Sequence, residues 1–159
     1  MARVSVKHKH LFTVVPVSQN SYSYQQFSPE VVGGLLSIYR TMFPHEGVSE
    51  EAYEIVVQKL DVRAAKDETV ALLISDGVDA LKRETEDQWS SLSGEMRTEC
   101  LKRLERTPFF KTLRADFVTW FYSNPEVWLR FGYEGPSNDK GGYVHRGFND
   151  IDWIDRAEG

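Results

Sequence analysis

A chain of 159 residues, 41% apolar and 13% aromatic, has the length and composition to bury one domain's core, which excludes global disorder. Its net charge of −5 and sequence pI near 5.4 disfavour nucleic acid as the main partner, because phosphate binding needs a concentrated basic face. The single cysteine, Cys100, has no partner for an internal disulfide, and without a CxxC pair the chain alone cannot hold an iron–sulfur cluster.

No apolar run approaches the roughly 18 residues of a membrane span, so no membrane insertion is expected. The apolar run from Leu11 to Val17 is short and broken by Thr13 and Pro16. It follows no twin-arginine pair and precedes no small-residue cleavage site. A cytoplasmic location is the expectation, or a periplasmic one if a partner carries the export signal.

Residues 1–27 read as an extended arm and linker. Val4 and Val6 alternate with polar neighbours, and Pro16 stops the run. His8 and His10 share one side of such a strand, but two ligands are fewer than metals take, so they read as solvated polar residues. Tyr22, Tyr24 and Phe27 punctuate a polar stretch and are expected on a surface.

From Ser28 onward the pattern is helical. Ser28 followed by Pro29 and Glu30 is a cap, a first-turn proline and a dipole-matched acid. Val31, Val32, Leu35, Leu36, Tyr39, Met42 and Phe43 then recur at helical spacing up to Pro44. Gly33 and Gly34 within this helix suggest a close neighbour, and His45 in the following turn reads as a surface or capping group. Ser49 caps a second helix with Ala52, Ile55, Val56 and Leu60 on its apolar face. The spacing predicts a third helix from about Thr69 to Trp89, with Val70, Leu73, Ile74, Val78 and Leu81 inside and the KRETEDQW end solvated. Ser93 caps a fourth carrying Met96, Cys100, Leu101 and Leu104, where Cys100 reads as a small buried hydrophobe. Thr107 and Pro108 open a fifth, rich in Phe and Trp and expected to be buried on much of its circumference. Asn124 and Pro125 start one further turn that Gly132 closes. The expected fold class is therefore all-α: a small multi-helix bundle over residues 28–131, preceded by the arm and followed by a long irregular tail at 132–159.

Catalytic patterns are absent. GxSxG, HExxH, GxGxxG and GxxxxGK[ST] do not occur, and none of the four histidines sits in a hydrolase, zincin or phosphate-loop context. Asp150, Asp152 and Asp155 lack the glycine and closing glutamate of an EF-hand loop. Gly141 and Gly142 with Arg146 could approach a phosphate, but no helix start follows them. The bland alternative fits better: a glycine-hinged, aromatic segment that binds a protein. Tyr, Trp and Arg dominate such interfaces, so Trp128, Tyr133, Tyr143, Arg146, Phe148 and Trp153 are the expected partner-binding residues. The rival expectation is a self-sufficient enzyme or small-ligand binder using His145, Arg146, Asp150 and Asp152.

The stretch TPFFKTLRADFVTWFYSNPEVW, with its PFF, LR and FYS-x-P elements between Pro108 and Pro125, resembles the small-subunit family of gluconate 2-dehydrogenase (subunit 3). The MFPHEG turn, Met42 to Gly47, and the string of helices are similar too, so the likeness spans Ser28 to Trp153. Glu126, Val127 and Trp128 stand where that family commonly has YGGN. The resemblance implies a non-catalytic subunit that binds, stabilises and helps mature a large FAD-dependent dehydrogenase of the glucose–methanol–choline type. The partner would hold the FAD and oxidise a sugar or related hydroxyl. This chain would bind no cofactor and no metal, and the family supplies no catalytic residues to carry over.

Overall fold

The computed structural model describes residues 22–136. Within them the chain is all-α: α1 (Pro29–Met42), α2 (Glu50–Ala64), α3 (Glu68–Glu84), a single 3-10 turn at Trp89–Ser91, α4 (Gly94–Leu104), α5 (Pro108–Phe121) and the short α6 (Pro125–Arg130). No strand occurs among the described residues. The bundle expected from the periodicity is present. The arm at 1–21 and the tail from 137 onward lie outside the described residues.

The helices begin where local chemistry starts them. Ser28, Ser49, Ser93 and Thr107 each accept a hydrogen bond from the backbone N–H three residues on, at 3.2–3.3 Å. Asn124 accepts from Glu126 N at 3.0 Å, and Asp67 caps α3 through Thr69 N at 3.0 Å. Each cap satisfies a donor that a helix N-terminus leaves without a partner.

The second helix is the axis of the bundle, packed against α1, α3 and α5. Its inner surface holds Ala52, Tyr53, Val56, Val57, Leu60 and Ala64, whereas Ile55, expected inside, is only half-buried. Phe117 of α5 sits at the centre of the core. Its ring stacks on Phe43 at 4.1 Å and on Phe121 at 4.4 Å, and tilts against Tyr39 and Tyr53 at 4.9 and 5.6 Å. Arg63 Nη1 donates to both carboxylate oxygens of Asp116 at 2.6–2.7 Å, which also joins α2 to α5. Burial pushes the Asp116 carboxyl above its ordinary value, and the Arg63 guanidinium opposes that shift.

One close approach between helices is tight. Gly77 of α3 lies under the Phe109 ring of α5, where a Cβ would come within 2.1 Å of the ring. Gly34 of α1 is itself buried.

Several expectations fail, each for a tertiary reason. The third helix ends at Glu84, five residues short of Trp89. Glu86 and Asp87 take positive φ of 47° and 63°, and Glu86 N and Asp87 N bond back to the carbonyls of Arg83 and Lys82. That is the helix-ending motif usually built on glycine, here built on glutamate. The reversal swings Trp89 into the core at 1% exposure, where its Nε1 donates to Ser37 Oγ of α1 at 2.9 Å. The charged end of the predicted helix is thus not simply solvated.

Phe27, expected on a surface, is also buried, and Tyr24 packs against the core. Asp61 on α2 holds them there. Its fully buried carboxylate accepts from the amides of Gln25, Gln26 and Phe27 at 2.8–2.9 Å. Met96, expected on the inner stripe of α4, is 55% exposed, and Cys100 is only partly buried, because Leu101 alone carries the fully buried contact of that helix. The fifth helix buries one face only: Phe109, Leu113, Phe117 and Phe121 point inward while Val118 is 45% exposed.

Candidate functional site

Two of the six expected partner-binding residues, Trp128 and Tyr133, lie together at the corner between α5 and α6 with their rings edge-to-face at 5.5 Å. Tyr143, Arg146, Phe148 and Trp153, and the rival set His145, Arg146, Asp150 and Asp152, lie outside the described residues.

The corner is built from backbone rules. Tyr122 ends α5, and Asn124 with Pro125 reopens the helix at once. After Arg130 the chain closes with Gly132 N bonded to Leu129 O at 3.3 Å and Tyr133 N to Trp128 O at 2.8 Å. Gly132 takes φ +71°, the left-handed position this C-cap requires. The Trp128 indole donates its Nε1–H to Tyr122 O at 2.5 Å, and Gly135, at φ +89°, packs beneath the ring. A helix of six residues burying only Val127 has little stability of its own, so these bonds and the bundle hold it.

The bundle's contribution comes from the turn between α1 and α2. Ser49, the cap of α2, also donates to Glu126 Oε1 at 2.8 Å. The Arg130 guanidinium lies against Gly47, where a Cβ would meet Nη2 at 1.9 Å, so a side chain there would displace it. His45 completes the clasp: its Nε2 is 2.7 Å from Tyr122 Oη, its ring stacks on Phe121 at 5.4 Å and meets Phe131 edge-on at 5.2 Å. Behind it, Tyr53 Oη donates to Phe43 O at 2.6 Å and accepts from His45 N at 3.3 Å. The Arg40 guanidinium covers the Tyr53 ring at 3.9 Å and pairs with Glu50.

The result is a rigidly backed apolar surface. Leu129 is 81% exposed, Phe131 52%, Tyr133 42% and Tyr122 38%. Sequence reading missed Tyr122, Leu129 and Phe131. Tyr122 ends α5 next to the buried Phe121, and Leu129 and Phe131 flank the end of α6, which buries Val127 alone.

Burial lowers the His45 imidazole below its ordinary value of 6.5. A lowered value means that the unfolded chain binds the proton more readily, so His45 favours folding above about 6.5 and withdraws that support as pH falls. Asp116 runs the other way, because a raised carboxyl favours the folded state as it protonates. Urea titrations between about pH 7.5 and 5 should therefore show the parent losing stability on acidification and His45→Gln losing less. Equal slopes for the two proteins would refute the clasp's role. The geometry supplies a structural imidazole–phenol contact beside the exposed face.

No group of three or more His, Cys, Asp or Glu side chains converges to hold a metal ion among the described residues. No helix among them is long and apolar enough to cross a membrane. Compared with known proteins, the chain matches no family model, no curated protein and no solved structure.

Proposed function

We propose that this chain is a non-catalytic helical subunit that binds and stabilises a larger FAD-dependent dehydrogenase acting on sugar or related hydroxyl groups. The observation that carries the binding role is the exposed Leu129–Phe131–Tyr133 surface, held on a short helix by the Ser49–Glu126, Arg130–Gly47 and His45–Tyr122 contacts. Aromatic and leucine anchors held rigid before binding spare most of the ordering cost of association. The dehydrogenase identity of the partner rests on the Pro108–Pro125 resemblance alone. On this reading the flavin belongs to the partner and this chain contributes surface.

Co-expression with a flavoprotein encoded beside the chain tests it. The flavoprotein should be less soluble, less flavin-loaded and less active without this subunit. Leu129→Asp with Phe131→Asp should weaken the complex at least about thirtyfold, the effect of losing a central hot spot. Leu129 is exposed and Phe131 gives up only its ring contacts with His45 and Tyr122, so the isolated subunit should stay folded. A flavoprotein equally stable, loaded and active alone would end the proposal.

A further inference from the structure

A second surface lies on the flank of the bundle, between α2 and α5. Ile55, Lys59, Val62, Lys66 and Trp120, with Tyr22 at one side, line a shallow groove of about 610 Å³ there. Its floor is apolar: Ile55, Val62 and Trp120 are each half-buried, the α2 pair facing outward because the core uses the opposite side of that helix. Its wall is fixed, since the buried Asp61 carboxylate holds Gln25–Phe27 by their amides and lies 3.4 Å from the Tyr22 hydroxyl.

Charge decides what fits. Asp67 turns its carboxylate to its own helix, bonding Thr69 N and Val70 N, and Arg63 is bonded to Asp116. Lys59 and Lys66 remain on the rim with no ion pair or side-chain hydrogen bond among the described residues. Two lysines with no ion pair among the described residues, beside an apolar floor, stand out on a chain whose net charge is −5. Lys59 lies on α2 and Lys66 in the turn two residues past its end, and α2 gives the groove a strip of about 13 Å from Ile55 to Ala64, at 1.5 Å of rise per residue. A segment lying there needs apolar side chains toward α2 and α5 and carboxylates toward the lysine rim.

We infer that the α2–α5 groove is a docking site for an acidic amphipathic helix of a partner protein, about two to three turns long, seated on Ile55, Val62 and Trp120 and oriented by Lys59 and Lys66. The site is separate from the α6 surface and does not depend on the partner there being a flavoprotein.

The test uses the full-length chain, isotope-labelled for amide NMR, and two synthetic helical peptides with the same leucine–tryptophan seam. One has glutamates flanking the seam and the other lysines. The glutamate peptide should perturb amides of Ile55–Asp67 and those around Trp120, and the lysine peptide should not. Lys59→Glu with Lys66→Glu changes exposed positions only, so helical content should be kept. It should weaken the glutamate peptide at least about fivefold and admit the lysine peptide.

Binding of neither peptide, equal binding of both, or perturbations confined to α6 would overturn the inference. So would groove perturbations that appear on concentrating the protein without peptide, which would make the occupant a second copy. Perturbation of the amides of residues 150–158 on reversing the two charges would make it this chain's own acidic end.

Discussion

Asp61→Ala is expected to cost about 3–5 kcal/mol of folding stability, since a buried polar group stripped of its partner loses about 1–3 kcal/mol and three amides lose theirs together. The Asp61 carboxylate is fully buried and is the acceptor for Gln25 N, Gln26 N and Phe27 N, with bonds of 2.8–2.9 Å. These donors sit in a stretch with no helical partners of their own, so no other group among the described residues accepts from them. Phe27, which fills part of the core, depends on the same bonds for its position. Asp61→Asn should fall between the two proteins, because its amide keeps one acceptor oxygen but turns an N–H₂ toward the other donors. Urea unfolding measures the loss, and hydrogen exchange at those three amides reports its cause. An alanine variant within about 0.5 kcal/mol of the parent, with the three amides still protected, would show that another group holds the segment.

Trp89→Ala should destabilise by a similar about 3–5 kcal/mol, the usual range for removing a large aromatic from a core. Trp89 is 1% exposed. Its indole bonds Ser37 of α1, and its carbonyl accepts from Arg97 Nε of α4 at 3.1 Å, so one residue ties α1 to α4 across the end of α3. Trp89→Phe keeps most of the ring's area but leaves the Ser37 hydroxyl without its donor. Its loss should be smaller, about 1–2 kcal/mol. Thermal and urea unfolding give both values. Trp89→Ala as stable as Trp89→Phe would mean that the ring's burial contributes nothing, contrary to its place in the core.

Both residues illustrate where sequence reading stops. The third helix looks continuous to Trp89 because its C-terminus carries no glycine. The left-handed residue that ends it is Glu86, at φ 47°, and a glutamate there gives no stop signal. The strain of about 1–2 kcal/mol that a non-glycine pays in that conformation is offset by burying Trp89. Asp61 looks like one more polar position on α2, because its partners are backbone amides 34–36 residues upstream. The corner at α6 was half legible. Trp128 and Tyr133 could be named from composition, whereas the exposure of Tyr122, Leu129 and Phe131 follows from how the ends of α5 and α6 meet the bundle, where α6 buries Val127 alone.

The amino-acid sequence by itself determined the all-α architecture and the helix starts. The serines and Thr107 before helical runs, the prolines at Pro29, Pro108 and Pro125, and the 3.6-residue spacing of apolar side chains all act within a turn or two of chain. Only the tertiary structure decided which polar groups are buried, which aromatic rings remain outside, and that Gly77 must be small to admit Phe109. Those outcomes depend on contacts between residues far apart in sequence. A periodic pattern says that a helix has an inner face; it does not say what that face will meet.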